Sequence, residues 1–491
     1  MDKRNKTQLR RAIGYFHGVT FILSTIIGAG IFIAPKGVLK YSSLHVGITL
    51  SIWVVCAVVS MITALTYAEV GTTFPQSGAQ YYFLKRSLGS PFVFFCLSAS
   101  LFEIPAGMAA RSLLLAEYVI QPFYPGCSTP TLPKKCLALA ILWSLGILGV
   151  QGVNKITWFQ TISAVMKITV LCIIALNGAV LLVIRKENLI RLGDAFSSDL
   201  PNISQIPEAF FQGFYAYSGW QSMVSIAGEI KNPAKNIPRC IFTALSLVTI
   251  LYLLVNISYL TVLTPEEIID SDAVAMTWAD RVIPSYQWII SIGVSSSILS
   301  GLLSTIFSSS RLYYCASQEG QMPLLFSMLN THSSPALAVI QTIIFASVMI
   351  FSSDLIRLIN LLGILGSIQL GLIIIGLIKL RYQEPNLPRP FKVHLLFALG
   401  TFIVFSLLVL IPVIHSPKMY HICVLFFILS GFLLYLLFVH LKFRFGWFNE
   451  VTCYLQLLLN ISPPDGPEEY ISKEITLPKS VLKFQQKHDE D

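Results

Sequence analysis

A succession of apolar segments, each long enough to cross a bilayer, runs along this chain of 491 residues. A transmembrane helix needs about 20 apolar residues, and about twelve such segments can be counted. Their approximate centres are residues 27, 58, 105, 145, 170, 217, 250, 296, 343, 368, 403 and 429. With 12% charged residues, the chain carries too little charge for a typical soluble domain. The sequence therefore predicts an all-α membrane protein with twelve transmembrane helices.

The distribution of basic residues predicts the orientation of these helices. One set of alternate loops, which begins with the N-terminal tail, contains about twice as many lysines and arginines as the other set. Cytoplasmic loops of membrane proteins carry such an excess. Both termini are therefore expected in the cytoplasm, with tails at 1–11 and 446–491 around a membrane domain at 12–445. The net charge of +9 is spread over these loops, which argues against a nucleic-acid partner.

Two of the apolar segments are interrupted near their middle. The first contains Gly28-Ala29-Gly30, and the sixth contains Tyr215-Ala216-Tyr217-Ser218-Gly219-Trp220. Broken backbone survives in lipid only where protein or a water-filled cavity satisfies its polar groups. Paired interruptions in corresponding halves of a chain indicate a transporter binding site, whereas a single Gly-x-Gly also suits close helix packing. The two breaks lie five spans apart, which predicts a secondary transporter built from two five-helix repeats.

The two breaks suit the two charged groups of an α-amino acid. The amides of Gly28, Ala29 and Gly30 would open a half-helix and attract a carboxylate. Carbonyl groups at the half-helix ends carry partial negative charge and suit a cation, either an ammonium group or a metal ion. No nucleophile–base pair or metal-ligand spacing appears, so neither an enzyme nor a metal or cofactor site is expected.

Three ionisable residues lie inside predicted spans, where a charge indicates function by default. Lys167 lies about ten residues inside the fifth span. Its positive charge could take the place of a coupling sodium ion; the alternative is a side chain that snorkels to the membrane surface. Glu103 and Arg111 lie in the third span and either face the cavity or pair with polar neighbours. A cavity-facing Glu103 would disfavour acidic substrates, and the alternative is a structural carboxylate.

Two outside loops carry further features. Cys127 lies in the loop between the third and fourth spans, where an unpaired cysteine indicates either an intermolecular disulfide or a free thiol. Between the seventh and eighth spans, Thr264 is followed by Pro265 and Glu267, which predicts a short helix with a capping box.

The chain resembles the light-chain subunits of the heteromeric amino acid transporters, in the amino acid–polyamine–organocation superfamily. The resemblance covers nearly the whole chain. It is carried by motifs at 26–32, 35–39, 67–71, 215–220, 316–320, 380–382 and 389–393. Further stretches at 77–86, 134–139 and 256–261 are similar to the branch that holds the asc-type amino acid transporter 2 and the aspartate/glutamate transporter of kidney.

The resemblance implies a LeuT-like fold: inverted five-helix repeats, two extra helices, and breaks in helices 1 and 6. It implies sodium-independent transport at the plasma membrane, with Lys167 in the place of a second sodium ion. Cys127 would be disulfide-linked to a single-span glycoprotein heavy chain, and Tyr215 would gate the substrate. The implied substrate-binding residues are Ile27, Gly28, Ala29, Gly30, Tyr215, Ala216, Ser218, Gly219 and Trp220.

Departures from family patterns predict the substrate. Ile104 and Gly366 stand where the family's cystine/glutamate exchanger has arginines, with Glu103 beside the first. Ser218 replaces an acidic residue of cationic-substrate members, and Trp220 matches neutral-substrate members. These residues favour small neutral amino acids: alanine, serine, glycine or threonine. The alternatives are a sodium-independent aspartate/glutamate transporter and, in another class, a non-transporting amino acid sensor.

Overall fold

The structure is a computed structural model. It describes residues 11–76, 78–120, 130–151, 153–184, 200–202, 205–271, 273–352, 355–415, 430–431, 433, 435–436, 448–459 and 461–462. Throughout these ranges the regular elements are helices, with two isolated β-bridges and no strand. The predicted all-α class is therefore confirmed.

The helices are numbered here in chain order. They are α1 Tyr15–Ile26, α2 Gly30–Tyr41, α3 Val46–Thr73, α4 Ala79–Ser87, α5 Ser90–Ile120, α6 Thr131–Val150, α7 Val153–Ile184, α8 Ile206–Tyr217, α9 Gln221–Ser225, α10 Pro233–Val262, α11 Pro265–Asp270, α12 Val274–Val282, α13 Gln287–Gln318, α14 Ala336–Ser352, α15 Leu355–Gln383, α16 Leu395–His415 and α17 Phe448–Leu459.

Most of these helices are membrane spans by length and composition. Within the described ranges, 7 helices are long and apolar enough to cross a bilayer, and the α1–α2 pair, bent by 45°, makes an eighth. Shorter apolar helices lie in α14 and α16. Each predicted span centre up to residue 403 falls within a helix or at a break, while residue 429 lies outside the described residues.

Large apolar side chains on the outer surface agree with a lipid environment. Trp158, Val183 and Ile414 are 69%, 79% and 71% exposed, although each belongs to a long apolar helix. Side chains of this kind are costly in contact with water and are stable against lipid. The polar residues instead collect between the helices, where the cavity described below lies.

The short helix predicted after Thr264 is confirmed as α11. The Thr264 hydroxyl accepts a hydrogen bond from the Glu267 amide, and the Glu267 carboxylate accepts one from the Thr264 amide, which completes the capping box. Arg281 of α12 donates to both oxygens of Glu267, at 2.9 and 2.7 Å. Lys36 of α2 donates to the carbonyl of Ser271, 3.0 Å away, so the segment that contains α11 is attached to the broken first span.

Candidate functional site

The first break lies between α1 and α2. Helix α1 ends at Ile26, and Ala29 is the N-cap of α2. The first amides of a helix have no partner within it. In the part of the chain that the structure describes, the amides of Gly28, Ala29 and Gly30 make no hydrogen bond. They are available to a ligand at the positive end of α2.

The last carbonyl groups of α1 are bound by side chains from three other helices. The ammonium group of Lys167 donates to the Ser24 carbonyl at 2.7 Å. The Tyr252 hydroxyl donates to the Ile26 carbonyl at 3.1 Å. The Ser297 hydroxyl donates to the Ile27 carbonyl at 2.9 Å. A positive charge therefore lies at the negative end of α1, where a helix dipole favours it.

The second break joins α8 to α9 through an extended residue and a glycine. Ser218 has ψ 160° and Gly219 has φ +120°, a conformation that strains any residue with a Cβ. A Cβ on Gly219 would lie 2.8 Å from the Thr25 carbonyl oxygen. A Cβ on Gly30 would lie 2.5 Å from the Cα of Ala216. The glycines thus allow the two breaks to pack directly against each other.

A cavity of about 310 Å³ lies beside these breaks, large enough for a small ligand. Its walls come from α1, α3, α4, α5, α8, α9, α13 and α15 and from the α8–α9 break. Both apolar and polar residues line it: Thr25, Tyr67, Gln80, Ser100, Glu103, Ile104, Gly107, Arg111, Phe211, Gln212, Phe214, Tyr215, Ser218, Gly219, Gln221, Ser222, Ser225, Thr305, Ser308, Ser309, Leu312, Gly363, Gly366, Ser367, Gln369 and Leu370.

Many of the sequence-predicted site residues meet at this cavity, and others lie beside it. Those that line it are Tyr215, Ser218, Gly219, Glu103, Ile104 and Gly366. Those outside its lining are Ile27, Gly28, Ala29, Gly30, Ala216, Trp220 and Lys167. Trp220 is fully buried, and its ring packs edge to face on Tyr67 with centroids 4.9 Å apart. Its indole therefore supports the wall from behind through Tyr67, which does line the cavity.

Two charged residues of α5, Glu103 and Arg111, line the same cavity but lie in different surroundings. The carboxylate of Glu103 accepts a hydrogen bond from Gln369 at 2.8 Å. It lies 3.3 Å from the position of a Cβ added to Gly366. Arg111 donates to the hydroxyl groups of Thr305, at 3.0 Å, and Tyr215, at 3.4 Å. One end of the lining is therefore acidic and the other basic.

Arg111 is a cavity residue whose contacts the sequence did not indicate. Its position inside a span identified it as unusual, but not which residues it would meet. Only the packing of α5 against α13 brings Arg111 and Thr305 together, because 194 residues separate them in the sequence. Cys127 lies outside the described residues, so its predicted disulfide stays a prediction.

Comparison with known proteins identifies relatives over nearly the whole chain. The family model described as amino acid permease matches residues 13–459. Human solute carrier family 7 member 13 is 53% identical over 96% of this chain and 100% of its own length. Mouse solute carrier family 7 member 12 is 49% identical over 94% and 99%. The human b(0,+)-type amino acid transporter 1 is 35% identical over 94% and 95%.

Proposed function

Because this chain belongs to the amino acid permease family, whose members are transporters and not enzymes, we propose a specific transport function for it. It carries small neutral L-amino acids, such as alanine, serine, glycine and threonine, across the plasma membrane by alternating access. Transport is independent of sodium, and the chain acts as the light chain of a disulfide-linked heterodimer. Both termini face the cytoplasm.

Sodium independence is supported by the hydrogen bond between Lys167 and Ser24. The Lys167 side chain is 1% exposed, and its ammonium group takes a carbonyl oxygen at the end of α1. Carbonyl oxygens at a helix end of this kind are suitable ligands for a sodium ion. A protein-borne cation in their place removes the need for a dissolved one.

The neutral side-chain preference is supported by the acidic end of the cavity. Ile104 and Gly366 present no positive charge, and the Glu103 carboxylate lies beside Gly366. A carboxylate in the substrate side chain would meet like charge there. Small substrates are favoured because Ser218 and Tyr215 occupy the space next to the second break.

In this proposal the substrate is held by its α-carboxylate and α-ammonium groups. The free amides of Gly28, Ala29 and Gly30 donate hydrogen bonds to the carboxylate, and carbonyl groups of the α8–α9 break, together with that of Thr25, accept hydrogen bonds from the ammonium. The carbonyls of Ile26 and Ile27 are already hydrogen-bonded within the protein. Tyr215 closes over the substrate as the broken spans and their neighbours rock against the remaining helices.

The proposed partner is a single-span glycoprotein bound through Cys127. Expression with a candidate heavy chain, followed by electrophoresis without reductant, tests this link. We expect one band of the heterodimer, which a reductant separates into its two chains. The Cys127→Ser variant should lack this band. Persistence of the band in Cys127→Ser would contradict the assignment, and Cys136→Ser is the matched control.

Uptake by the purified chain in sodium-free liposomes tests the proposed function. Labelled L-serine, L-leucine and L-glutamate are compared, with and without amino acid inside the vesicles. We expect serine to enter fastest and to require no sodium. Uptake that appears only with sodium, or glutamate uptake exceeding that of serine, would contradict the proposal. Binding without flux of any substrate would instead support an amino acid sensor.

Acidic amino acids are the second candidate substrates, and one observation favours them. Arg111 places a guanidinium group on the cavity wall, and the planar fork of its N–H donors matches the geometry of a carboxylate. The basic end of the cavity thus offers a side-chain carboxylate a partner that Ile104 and Gly366 do not.

A further inference from the structure

We propose that Arg111, positioned by Thr305, is a specificity residue that binds the side-chain carboxylate of acidic amino acids and so extends the substrate range beyond neutral ones. The inference goes beyond the proposed neutral transport and rests on the same cavity. It concerns a position in α5 that lies seven residues, or about two helical turns, beyond Ile104.

The hydrogen bonding of Arg111 leaves part of its guanidinium group unused. Nη1 donates to Thr305 and Nε to the Tyr215 hydroxyl. Its five N–H donors form a planar fork suited to two carboxylate oxygens. Among the described residues, Arg111 takes part in no ion pair. The buried carboxylates of Glu69 and Glu229 pair with other arginines.

Arg111 is partly buried in the wall of the cavity, and this position matters for the energy of its charge. A buried charge is stable only if it is paired or well hydrogen-bonded. The Thr305 and Tyr215 hydroxyls supply dipoles but no negative charge. A ligand carboxylate would complete the pairing, so the arrangement favours an anion as the missing partner.

The geometry also separates this site from the groups proposed to bind the amino acid backbone. Tyr215 contacts Arg111 through its hydroxyl, at the far end of its side chain from α8. Its ring also lies 6.0 Å from the Arg111 guanidinium carbon. The chain continues from Tyr215 directly into the break at Ser218–Gly219. The side chain of Tyr215 thus extends from the break to Arg111. A substrate at the break therefore lies within about one tyrosine side-chain length of the Arg111 guanidinium group.

The chemistry of Arg111 favours an acidic side chain over a neutral one at this point. Aspartate and glutamate carry a carboxylate one or two methylene groups from Cα, and a guanidinium group can bind it with two hydrogen bonds, whereas serine and alanine carry no such group. The acidic end of the cavity, at Glu103, lies about 12 Å further along α5, since eight residues of helix rise by that distance. A carboxylate held at Arg111 is thus remote from the like charge of Glu103.

Paired uptake measurements on the full chain in sodium-free liposomes test this assignment. Labelled L-glutamate, L-aspartate and L-serine are supplied to the wild type, Arg111→Gln and Arg111→Lys. Arg239→Gln, an exposed arginine at the start of α10, is the matched control. We expect the ratio of glutamate uptake to serine uptake to fall at least about tenfold in Arg111→Gln, the scale of one charged hydrogen-bonded contact. Arg111→Lys should retain an intermediate glutamate rate, and the control should match the wild type.

Three results would overturn the inference. An equal fall in serine and glutamate uptake by Arg111→Gln would assign Arg111 to the α-carboxylate or to folding. A wild type that carries serine but no acidic amino acid would remove the substrate class while leaving the neutral transport proposal intact. Wild-type uptake of both glutamate and serine by Arg111→Gln would remove the role in specificity.

A second variant distinguishes a specific effect on glutamate binding from a loss of folded protein. Thr305→Val removes the hydroxyl group that accepts from Arg111 but keeps a side chain of similar shape. We expect a smaller, selective fall in glutamate uptake, and glutamate should inhibit serine uptake less strongly in this variant than in the wild type. Equal inhibition in both proteins would count against the positioning role of Thr305.

Discussion

At the scale of single residues, charge and burial identify the candidate functional residues. Lys167 was identifiable from the sequence because a lysine ten residues inside an apolar segment is exceptional. Its partner was not, because the Ser24 carbonyl is a backbone group 143 residues away, and only the fold brings the two together. The same limit applied to Arg111, whose partners come from other helices.

Replacing Lys167 tests its role at the first break. We expect Lys167→Met to reduce sodium-free serine uptake by more than tenfold, because the carbonyl at the end of α1 loses a charged donor worth about 1.5–3 kcal/mol. Uptake in liposomes, normalised to the amount of folded protein, measures the effect. Lys40→Met, at an exposed lysine near the end of α2, should behave like the wild type. Full activity of Lys167→Met would contradict the role.

Helix α11 provides a pH-dependent test at a single carboxylate. Hydrogen bonds from Arg281 and from the Thr264 amide lower the pKa of Glu267 to about 2. The ordinary glutamate value is about 4.3. Because the pKa is lower in the folded state, the stability that the charged form contributes is complete above the ordinary value. It is lost as pH falls from there toward about 2.

We therefore expect Glu267→Gln to lower the melting temperature most at about pH 7. The difference from wild type should shrink between about pH 4 and pH 2, since protonation of the wild-type carboxylate then removes the same interaction. Thermal melting in nanodiscs over this range measures it, with the exposed Glu266→Gln as the control. A difference that grows as pH falls would contradict the assignment.

At the scale of elements, the breaks were predictable and their packing was not. Glycine content and the five-span spacing located both interruptions, because glycine is a poor helix former and irregular backbone in lipid is rare. The contact of Gly30 with Ala216, by contrast, depends on how α2 and α8 approach each other. For the same reason, the packing of the Trp220 ring against Tyr67, behind the cavity wall, becomes evident only in the folded chain.

Adding one methyl group to Gly30 tests this close approach. Its Cβ would lie 2.5 Å from a backbone atom of Ala216, so that α2 and α8 would have to separate. We expect Gly30→Ala to abolish serine uptake, or nearly so, and to lower the melting temperature. Gly400→Ala in α16, where a Cβ meets nothing within 4 Å, is the control and should be active. Comparable activity of the two variants would show that the breaks tolerate separation.

At the scale of the whole molecule, ion pairs between distant elements connect the broken spans to their surroundings. Glu229, which follows α9, accepts from Arg311 of α13 at 2.8 Å, and both side chains are fully buried. The carbonyl of Glu229 also accepts from the amide of Ile13, just before α1, at 3.0 Å. The start of the first broken span and the end of the second are thus attached at one point.

The family motifs around Glu69 and Arg381 are explained by a second such connection. Arg381, at the end of α15, donates from Nε to Glu69 of α3 at 3.0 Å, and the amide of Val393 donates to the same carboxylate at 2.9 Å. The sequence showed these residues only as parts of separate motifs. Pairing across 312 residues becomes evident only in the folded chain.

Breaking the Glu229–Arg311 pair should be costly for the whole fold. Glu229→Gln leaves the Arg311 guanidinium charged and unpaired in a dry interior, a loss of about 3–5 kcal/mol. We expect a lower melting temperature and less protein at the cell surface, whereas Glu384→Gln, in the partly exposed pair with Arg86, should change little. Replacing both residues, as Glu229→Leu with Arg311→Met, should recover stability. If that double variant were less stable than Glu229→Gln, the charge argument would be wrong.

The attachment of Lys167 to α1 also determines what can drive uptake. A sodium ion that crosses with its substrate releases the free energy of its own gradient, but a lysine ammonium remains with the polypeptide and releases none. Under the proposed function, a zwitterionic substrate then carries no net charge through the membrane, and voltage exerts no force on its passage. Such a protein brings each amino acid only to equal concentrations on the two sides. Accumulation beyond that point requires a different amino acid to run down its own gradient in the opposite direction.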